Sequence, residues 1–219
     1  MLRTAAALLP LALVAGCASG GSATPEATAQ DRLADARAQA AALSSFAFRS
    51  VTELPGKTAL QRTVIDGRAA VPDRVAYTVT IGGTKADVVR IADKGYSRTL
   101  PNGRWAPETG TAKAAVPAVV LQRVLAAADD PVDKGDVVFD GRTGRMVEVT
   151  LTAEEVRTTG LLDAQGGSDV PVTLALDPQG RVLRLAVELP LQAGATQGVL
   201  RQVTTYGSFG TAPEITAPV

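Results

Sequence analysis

The sequence predicts an α+β domain built on one antiparallel β-sheet. Most of the chain alternates apolar and polar residues with a period of two, which is typical of strands that bury one face. Short turn sequences rich in glycine, proline, asparagine and aspartate separate these strands, so neighbours should pair as hairpins. Helical spacing occurs in only two or three segments, inserted between groups of strands, which favours α+β over α/β. We expect roughly nine strands and two or three helices.

The first helix should begin at Thr28, where Asp31 completes a capping box, or at Pro25, which suits the first helical position. Leu33 and Ala36 belong to an apolar stripe that continues at helical spacing to about Leu43. This apolar face is small, so we expect the helix to approach its neighbours closely.

The strand pattern begins directly after this helix. Phe46, Phe48 and Ser50 point to one face of the first strand. We expect the second strand at 60–65, ended by a turn at Asp66-Gly67.

The clearest half-buried strand is 75–81, in which every second residue is apolar. A turn at Gly82-Gly83 leads to its partner over 87–92. A further hairpin pairs 96–100 with 104–105, because Asn102-Gly103 is a strong turn signal.

The second helix should begin near Pro117 and end before Asp129-Asp130-Pro131, because a residue that precedes proline disfavours helix. A strand at 137–139 and a turn at 140–144 should follow, and then a strand over 146–151.

A capping box at Thr152 and Glu155 predicts a short third helix to about Leu161. The remaining strands should pair around a turn at 177–180 and finish near Tyr206.

Composition excludes several kinds of chemistry. The chain has no histidine, so histidine-based triads, general bases and metal sites are absent. The formal net charge is zero, which does not suggest a nucleic-acid partner. Aromatic residues make up 4% and hydrophobic residues 46% of the chain, so the interior should be mainly aliphatic. A carboxylate-only or Ser-Lys enzyme stays possible on composition alone, although we expect no catalytic residues, no cofactor and no metal.

Two pairs of adjacent carboxylates, Asp129-Asp130 and Glu154-Glu155, are the first candidates for chemistry. Neighbouring side chains diverge on strands and on helices, so spacing alone does not make either pair a catalytic dyad. We interpret them as solvated or helix-terminal charges.

Two further candidates have structural interpretations. The segment 141–145, Gly-Arg-Thr-Gly-Arg, lacks the phosphate-loop spacing and precedes a strand, so we interpret it as a hairpin turn. Tyr96 and Trp105 could stack on a ligand, but anchoring a sheet edge is the interpretation we favour.

The N-terminus has the pattern of a secretory signal. A short basic start precedes an apolar run of eleven residues from Ala5 to Ala15, whereas a spanning helix needs ~20 residues. The end of this run, Leu-Val-Ala-Gly-Cys at 13–17, resembles the lipobox of bacterial lipoproteins. The resemblance implies cleavage after residue 16 and a diacylglyceryl group on Cys17. Residues 17–24 would form a flexible tether, and 25–219 one extracytoplasmic domain.

The aliphatic strand faces leave the nature of the interior open. Two or three modest helices must cover a large sheet, and incomplete cover would leave an apolar cavity for acyl chains. A fully packed core is equally compatible with the pattern.

The order of these features resembles the actinobacterial LppX/LprA/LprF/LprG lipoproteins, which share the LolA fold. The resemblance rests on the lipobox and on four segments: LSSFAFRSVTEL, ADKGYSRTLPNGRW, VTLALDPQGRVLRLAVEL and TTYGSFGTAPEITAP. It implies a strongly curved antiparallel half-barrel with two or three helices over its concave face. It also implies a hydrophobic cavity that holds acyl chains of a lipid or glycolipid.

From this resemblance we expect a lipid-anchored protein at the extracytoplasmic face of the cell membrane that binds and transfers lipid. The same fold resembles the sensor domain of RseB-type regulators, so an envelope protein partner is the alternative. The residues expected to line the cavity lie on the strand faces and the second helix: Phe46, Phe48, Val75, Tyr77, Val79, Val120, Val124, Leu183 and Leu185.

Overall fold

A computed structural model describes residues 26–55, 61–108, 117–161, 169–193 and 196–218. Within these ranges the chain forms three helices and eleven strands. The helices are α1 (Ala29–Ala41), α2 (Pro117–Ala127) and α3 (Ala153–Thr159). The strands are β1 (Ser45–Leu54), β2 (Gln61–Ala70), β3 (Arg74–Ile81), β4 (Thr84–Ile91), β5 (Lys94–Thr99), β6 (Ala106–Pro107), β7 (Asp129–Phe139), β8 (Arg142–Leu151), β9 (Val170–Leu176), β10 (Val182–Ala193) and β11 (Thr196–Gly207).

All eleven strands form one antiparallel sheet in the order β6-β5-β4-β3-β2-β1-β11-β10-β9-β8-β7. Strands β1 to β6 run outward from the centre to one edge. The chain then passes through α2 to the opposite edge, and β7 to β11 return to the centre, where β11 pairs with β1. The two edges do not meet, so the sheet is an open, curved half-barrel, and the predicted α+β class is confirmed.

The three helices lie on the concave face of this sheet. Helix α2 contacts α1 on one side and α3 on the other, while α1 also contacts β7 and α3 contacts β8. One continuous core contains Leu33 from α1, Leu121 from α2 and Val156 from α3, together with the inward residues of the strands. Directly opposed residues in neighbouring antiparallel strands share a face, so the strand register identifies every inward position.

Both predicted capping boxes are confirmed. The Thr28 side chain accepts a hydrogen bond from the Asp31 backbone, and the Asp31 carboxylate accepts one from the Thr28 backbone. Thr152 and Glu155 make the same reciprocal pair at α3. These pairs satisfy backbone N–H groups that no intrahelical carbonyl can reach.

Helix α1 packs closely on α2, as its small apolar face predicts. Ala36 and Ala40 are buried on this side. Arg37 donates from Nε to the Leu125 carbonyl at 2.8 Å and from Nη2 to the Ala128 carbonyl. The Arg37 side chain therefore satisfies two carbonyls at the C-terminal end of α2, which have no intrahelical partner.

The predicted turn at Asp66-Gly67 is wrong, because β2 continues through both residues to Ala70. Gly67 lies directly opposite Phe48 in β1 and Tyr77 in β3. A Cβ at Gly67 would lie 2.8 Å from Cζ of Phe48 and 2.6 Å from Cβ of Tyr77. Glycine occurs here because the Phe48 ring lies against the backbone and leaves no room for a side chain. In sequence, such a glycine looks the same as a glycine in a turn.

Two further boundaries differ from the prediction. Strand β7 begins at Asp129, earlier than expected, and its pairing with β8 contains two register shifts. The turn before β8 is confined to Asp140 and Gly141, and Gly144 lies within β8, where a Cβ would be 2.5 Å from the Leu176 carbonyl oxygen.

The two edge strands are poor templates for pairing with another chain. Strand β6 has two residues, one of which is Pro107, and β7 carries Pro131 and two register shifts. Proline lacks the N–H that a partner strand would need, and a bulge twists the edge away. Among the helices that the structure describes, none is long and apolar enough to cross a membrane.

Candidate functional site

The concave face is sealed over one half of the sheet. Here the inward side chains of β8, β9 and β10 lie beneath the helices and have almost no solvent exposure. These residues are Val147, Val149, Leu151, Val172, Leu174, Leu185, Val187 and Leu189. This half is a packed core with aliphatic side chains from three neighbouring strands.

The other half of the concave face is only partly covered. Five inward apolar residues, which we call the trough, lie here: Leu54, Ile65, Tyr77, Val79 and Ile81. The first four are half-buried, and Ile81 is 58% exposed at the end of β3. The trough therefore presents a mainly apolar concave surface that adjoins the core, with Thr52 and Thr63 on the same face between Leu54 and Ile65.

An aromatic cluster closes one end of the trough. The Phe46 ring lies 6.2 Å from the Phe48 ring and 5.7 Å from the Tyr206 ring, and all three side chains are buried. Edge-to-face and tilted arrangements of this kind are favourable between rings. Burial raises the pKa of the Tyr206 hydroxyl above its usual value.

Hydroxyl groups occupy the centre of the sheet beside the trough. Thr204 Oγ1 donates a hydrogen bond to Ser50 Oγ at 3.0 Å. Ser50 is also directly opposite Ile65, so this pair faces the concave side. The inner surface therefore combines aliphatic side chains with small, mutually satisfied hydroxyls, which are compatible with an apolar ligand.

A depression of about 590 Å³ lies at the rim, and Gly83, Thr84, Lys85, Leu100 and Pro101 line it. Thr84 is directly opposite Ile81, so the depression adjoins the exposed end of the trough. Lys85 adds a positive charge at this rim.

An ion pair lies on the concave face near the trough. Arg90 Nε donates to Glu108 Oε2 at 2.8 Å, and both side chains are largely buried. Burial raises the pKa of Tyr77, with the nearby Arg90 charge opposing the shift and the Glu108 charge reinforcing it. Tyr77 therefore links the aliphatic trough to a charged pair that the sequence analysis did not single out.

Of the nine residues expected to line a cavity, six are buried in the structure and three are half-buried. Phe46, Phe48, Val75, Val124 and Leu185 belong to the continuous hydrophobic core. Tyr77 and Val120 are half-buried against that core, and Val79 is half-buried in the trough. Leu183 is fully buried beside a register shift in β10. Their role as a cavity wall remains a prediction.

Leu54 and Ile65 belong to the trough, although the sequence analysis did not assign them to the cavity. Leu54 shares the period-two alternation of Phe46 and Phe48 along β1, whereas Ile65 lies in β2, from which no residue was assigned. Partial exposure was not visible, because it depends on where the helices lie.

The paired carboxylates have structural partners. Asp129 lies 3.5 Å from Arg37, Glu154 pairs with Arg157, and Glu155 caps α3. The interpretation of Glu154-Glu155 as helix-terminal charge is therefore confirmed. Among the residues that the structure describes, no cluster of three or more potential metal ligands occurs.

Trp105, near the sheet edge, has an intramolecular partner. The Arg98 guanidinium lies 4.7 Å from the centre of the Trp105 ring and also pairs with Asp87 at 2.8 Å. Burial alone would raise the pKa of Asp87, but hydrogen bonds from Thr78 and Arg98 lower it overall. This stacking agrees with the role of Trp105 as an anchor of the sheet edge.

The signal sequence, Cys17 and the tether lie outside the described residues. Their assignment therefore stays a prediction from the sequence.

No protein-family model matches the chain, and no curated protein matches it in sequence. Solved structures do match it. LprF from Mycobacterium bovis aligns with a TM-score of 0.60 at 15% identity, over 87% of this chain and 96% of that one. The Mycobacterium tuberculosis lipoprotein LppX aligns with a TM-score of 0.63 at 16% identity, over 86% of this chain and all of that one.

The chain thus has the LppX/LprF-type, LolA-like fold, as the sequence resemblance implied. A complex of MucA and MucB from Pseudomonas aeruginosa also matches, at 14% identity over 86% of this chain and 59% of that one. Its TM-score of 0.41 is too low to support an argument about this protein.

Proposed function

We propose that this protein is a membrane-anchored lipoprotein that binds acyl chains of a lipid or glycolipid in the trough and transfers that lipid at the cell envelope. The observation that carries the proposal is the half-exposed, mainly apolar trough, which adjoins the core. The fold shared with LprF and the lipoprotein LppX supports it, because that family resemblance implies an acyl-chain cavity.

The trough suits a hydrocarbon chain. Each methylene group transferred from water to an apolar surface contributes about 0.8 kcal/mol. Leu54, Ile65 and Val79 offer branched aliphatic surface, and Tyr77 extends it toward the aromatic cluster. Such partly covered apolar surface is costly in water, and a bound chain would remove that cost.

The sequence supports a membrane anchor. One acyl chain gives only marginal membrane binding, whereas a diacylglyceryl group on Cys17 supplies two chains and anchors stably. Residues 18–24 could extend at most about 25 Å, so the domain would work close to the membrane surface. This short reach favours extraction from, or delivery to, that same membrane.

Lipid binding by the full-length Cys17→Ala protein tests the proposal, because this change removes covalent acyl groups that would obscure bound lipid. After incubation with phosphatidylglycerol vesicles and removal of the vesicles, native mass spectrometry should detect a stoichiometric lipid complex. Val79→Asp should weaken that complex at least about tenfold, because a carboxylate would replace an apolar contact.

Val199→Asp is the matched control. Leu200 points to the concave face, so its neighbour Val199 points to the convex face, where it is 42% exposed. Its change should therefore leave lipid binding intact. A protein that binds no lipid would contradict the proposal. Recovery of a stoichiometric envelope protein without lipid would favour the regulatory alternative instead.

A further inference from the structure

An arginine lies on the apolar concave face close to the trough. Arg90 in β4 is directly opposite Val75, whose buried side chain belongs to the core, so both side chains lie on the same face. The Arg90 side chain is only 16% exposed. A long cationic side chain at such a place requires partners that satisfy its donors.

Glu108 accepts a hydrogen bond from one of the Arg90 donors. Its Oε2 accepts the Nε hydrogen bond at 2.8 Å, and its own side chain is 25% exposed. Gly95, directly opposite Arg90 in β5, makes room for this carboxylate, because a Cβ at Gly95 would collide with Glu108 Oε2 and lie 3.2 Å from its carboxyl carbon. The absence of a side chain at Gly95 thus leaves space for the Glu108 carboxylate on the concave face.

One nitrogen of the Arg90 guanidinium, Nη1, is buried with its N–H donors unused. Among the described residues, the buried Nη1 has no hydrogen-bond partner. Buried donors are nearly always paired, so a buried N–H without an acceptor indicates a site that a ligand or water completes.

The position of Arg90 distinguishes it from two other arginines. Arg32 and Arg68 each have a buried Nε without a partner. Arg32 belongs to α1, and Arg68 lies on the convex face, since it is opposite Ala76 in β3. Only Arg90 of these three lies on the face that holds the trough.

Tyr77 connects this pair to the trough. It alternates with Val75 and Val79 along β3, so it shares their face and lies between the sealed part and the open part. The opposing effects of Arg90 and Glu108 on the pKa of Tyr77 agree with their closeness to its ring. Arg90 lies opposite Val75, which follows Tyr77 on this face, so a ligand whose chain lies along Val79 and Tyr77 would run toward the Arg90 side chain.

We infer that Arg90, oriented by Glu108, hydrogen-bonds an uncharged oxygen of the bound lipid, either an ester carbonyl or a hydroxyl, and so fixes the position of the lipid in the trough. This inference rests on the proposed lipid binding. The oxygen is uncharged because Glu108 already neutralises Arg90 at 2.8 Å, and an anionic group would lie close to the Glu108 carboxylate. A neutral acceptor satisfies Nη1 without that repulsion.

Paired probes test this contact. The full-length Cys17→Ala protein is titrated with 1-monopalmitoylglycerol, with palmitate and with hexadecane, each as a competitor of a bound fluorescent acyl probe. We expect monopalmitoylglycerol to bind about tenfold more tightly than hexadecane, in keeping with one hydrogen bond to a charged donor. Arg90→Met, which keeps an apolar stem, should abolish this difference and leave hexadecane binding unchanged.

A second variant covers the case in which Arg90→Met does not fold. Glu108→Gln keeps the shape of the partner and removes its charge, so palmitate should gain affinity relative to monopalmitoylglycerol. The inference is overturned if Arg90→Met retains the full preference for monopalmitoylglycerol. It is also overturned if the protein with Arg90 intact prefers palmitate. Lipid binding itself stands in either case. If no probe binds, the proposed function fails and this inference fails with it.

Discussion

The Phe48 ring lies directly over the backbone of Gly67, and a Cβ at Gly67 would come within 2.8 Å of its Cζ atom. The two residues are directly opposed in β1 and β2. Because Gly67 has no side chain, the Phe48 ring approaches its backbone at the closed end of the trough, where it also contacts Phe46. A missing side chain in one strand therefore positions an aromatic ring in the next.

Gly67→Ala should destabilise the protein by about 1–3 kcal/mol, because the added methyl group overlaps Phe48 and Tyr77. Urea denaturation followed by circular dichroism measures the loss. Gly207→Ala in β11 is the control, since no atom lies within 4 Å of the Cβ position there and the change should have little effect. Equal stability of the two variants would show that the Phe48–Gly67 contact is not tight.

Arg37→Met should destabilise the protein by about 2 kcal/mol, because two carbonyls at the end of α2 lose a charged donor. The methionine keeps most of the apolar stem, so the loss reports on the hydrogen bonds. Arg123→Met changes an exposed arginine of α2 and should alter the free energy of unfolding by less than about 0.5 kcal/mol. Denaturation midpoints of the two variants measure both changes. If Arg37→Met is as stable as the wild type, the hydrogen bonds from Arg37 do not stabilise the end of α2.

The cap of α3 should make stability depend on pH in the acid range. Hydrogen bonds from Thr152 lower the pKa of Glu155 below its usual value of 4.5. The folded state therefore binds this proton less readily than the unfolded state, so the contribution is complete above about pH 4.5 and is lost as pH falls through the folded pKa.

Glu155→Gln tests this dependence by unfolding experiments at a series of pH values. The variant should be less stable than the wild type at pH 7, and the difference should shrink as pH falls below 4.5. Glu154→Gln, which removes an exposed ion pair with Arg157, should have little effect at pH 7. A difference at Glu155 that stays constant with pH would contradict the capping argument.

Cys17→Ala should abolish incorporation of labelled palmitate, because this residue is the only thiol in the chain. Ser19→Ala, two residues away, should retain full labelling. Circular dichroism of the Cys17→Ala protein should match that of the wild type, since the tether and the folded domain are separate in the predicted organisation. Persistent labelling without Cys17 would refute the assignment of a lipid anchor.

Local patterns in the sequence predicted much of this fold, because they depend on neighbouring residues alone. The capping boxes at Thr28 and Thr152 were correct, since a cap is formed within four residues. The alternation around Phe48 and Tyr77 gave the correct face of each strand. The break predicted at Gly67 was wrong, because a glycine beneath an aromatic ring and a glycine in a turn look alike in sequence.

The candidate site was only partly predictable for a different reason. Residues from one strand face, such as Val75 and Val79, were assigned together, yet the structure buries the first and leaves the second half-exposed. Arg90 follows Val88 with a period of two, so a polar residue on the inner face was detectable. Its pairing with Glu108 was not detectable, because it depends on the close approach of β5 and the segment after β6.

By itself, the sequence determined the fold class, the inward face of the strands and the absence of histidine chemistry, because these follow from composition and local periodicity. The tertiary structure decided which part of the concave face is sealed and which part forms the trough. That division depends on how three short helices pack across eleven strands, and on the contacts between residues far apart in the chain. No local pattern encodes such long-range contacts, so only the assembled sheet shows which inward residues the helices leave partly exposed.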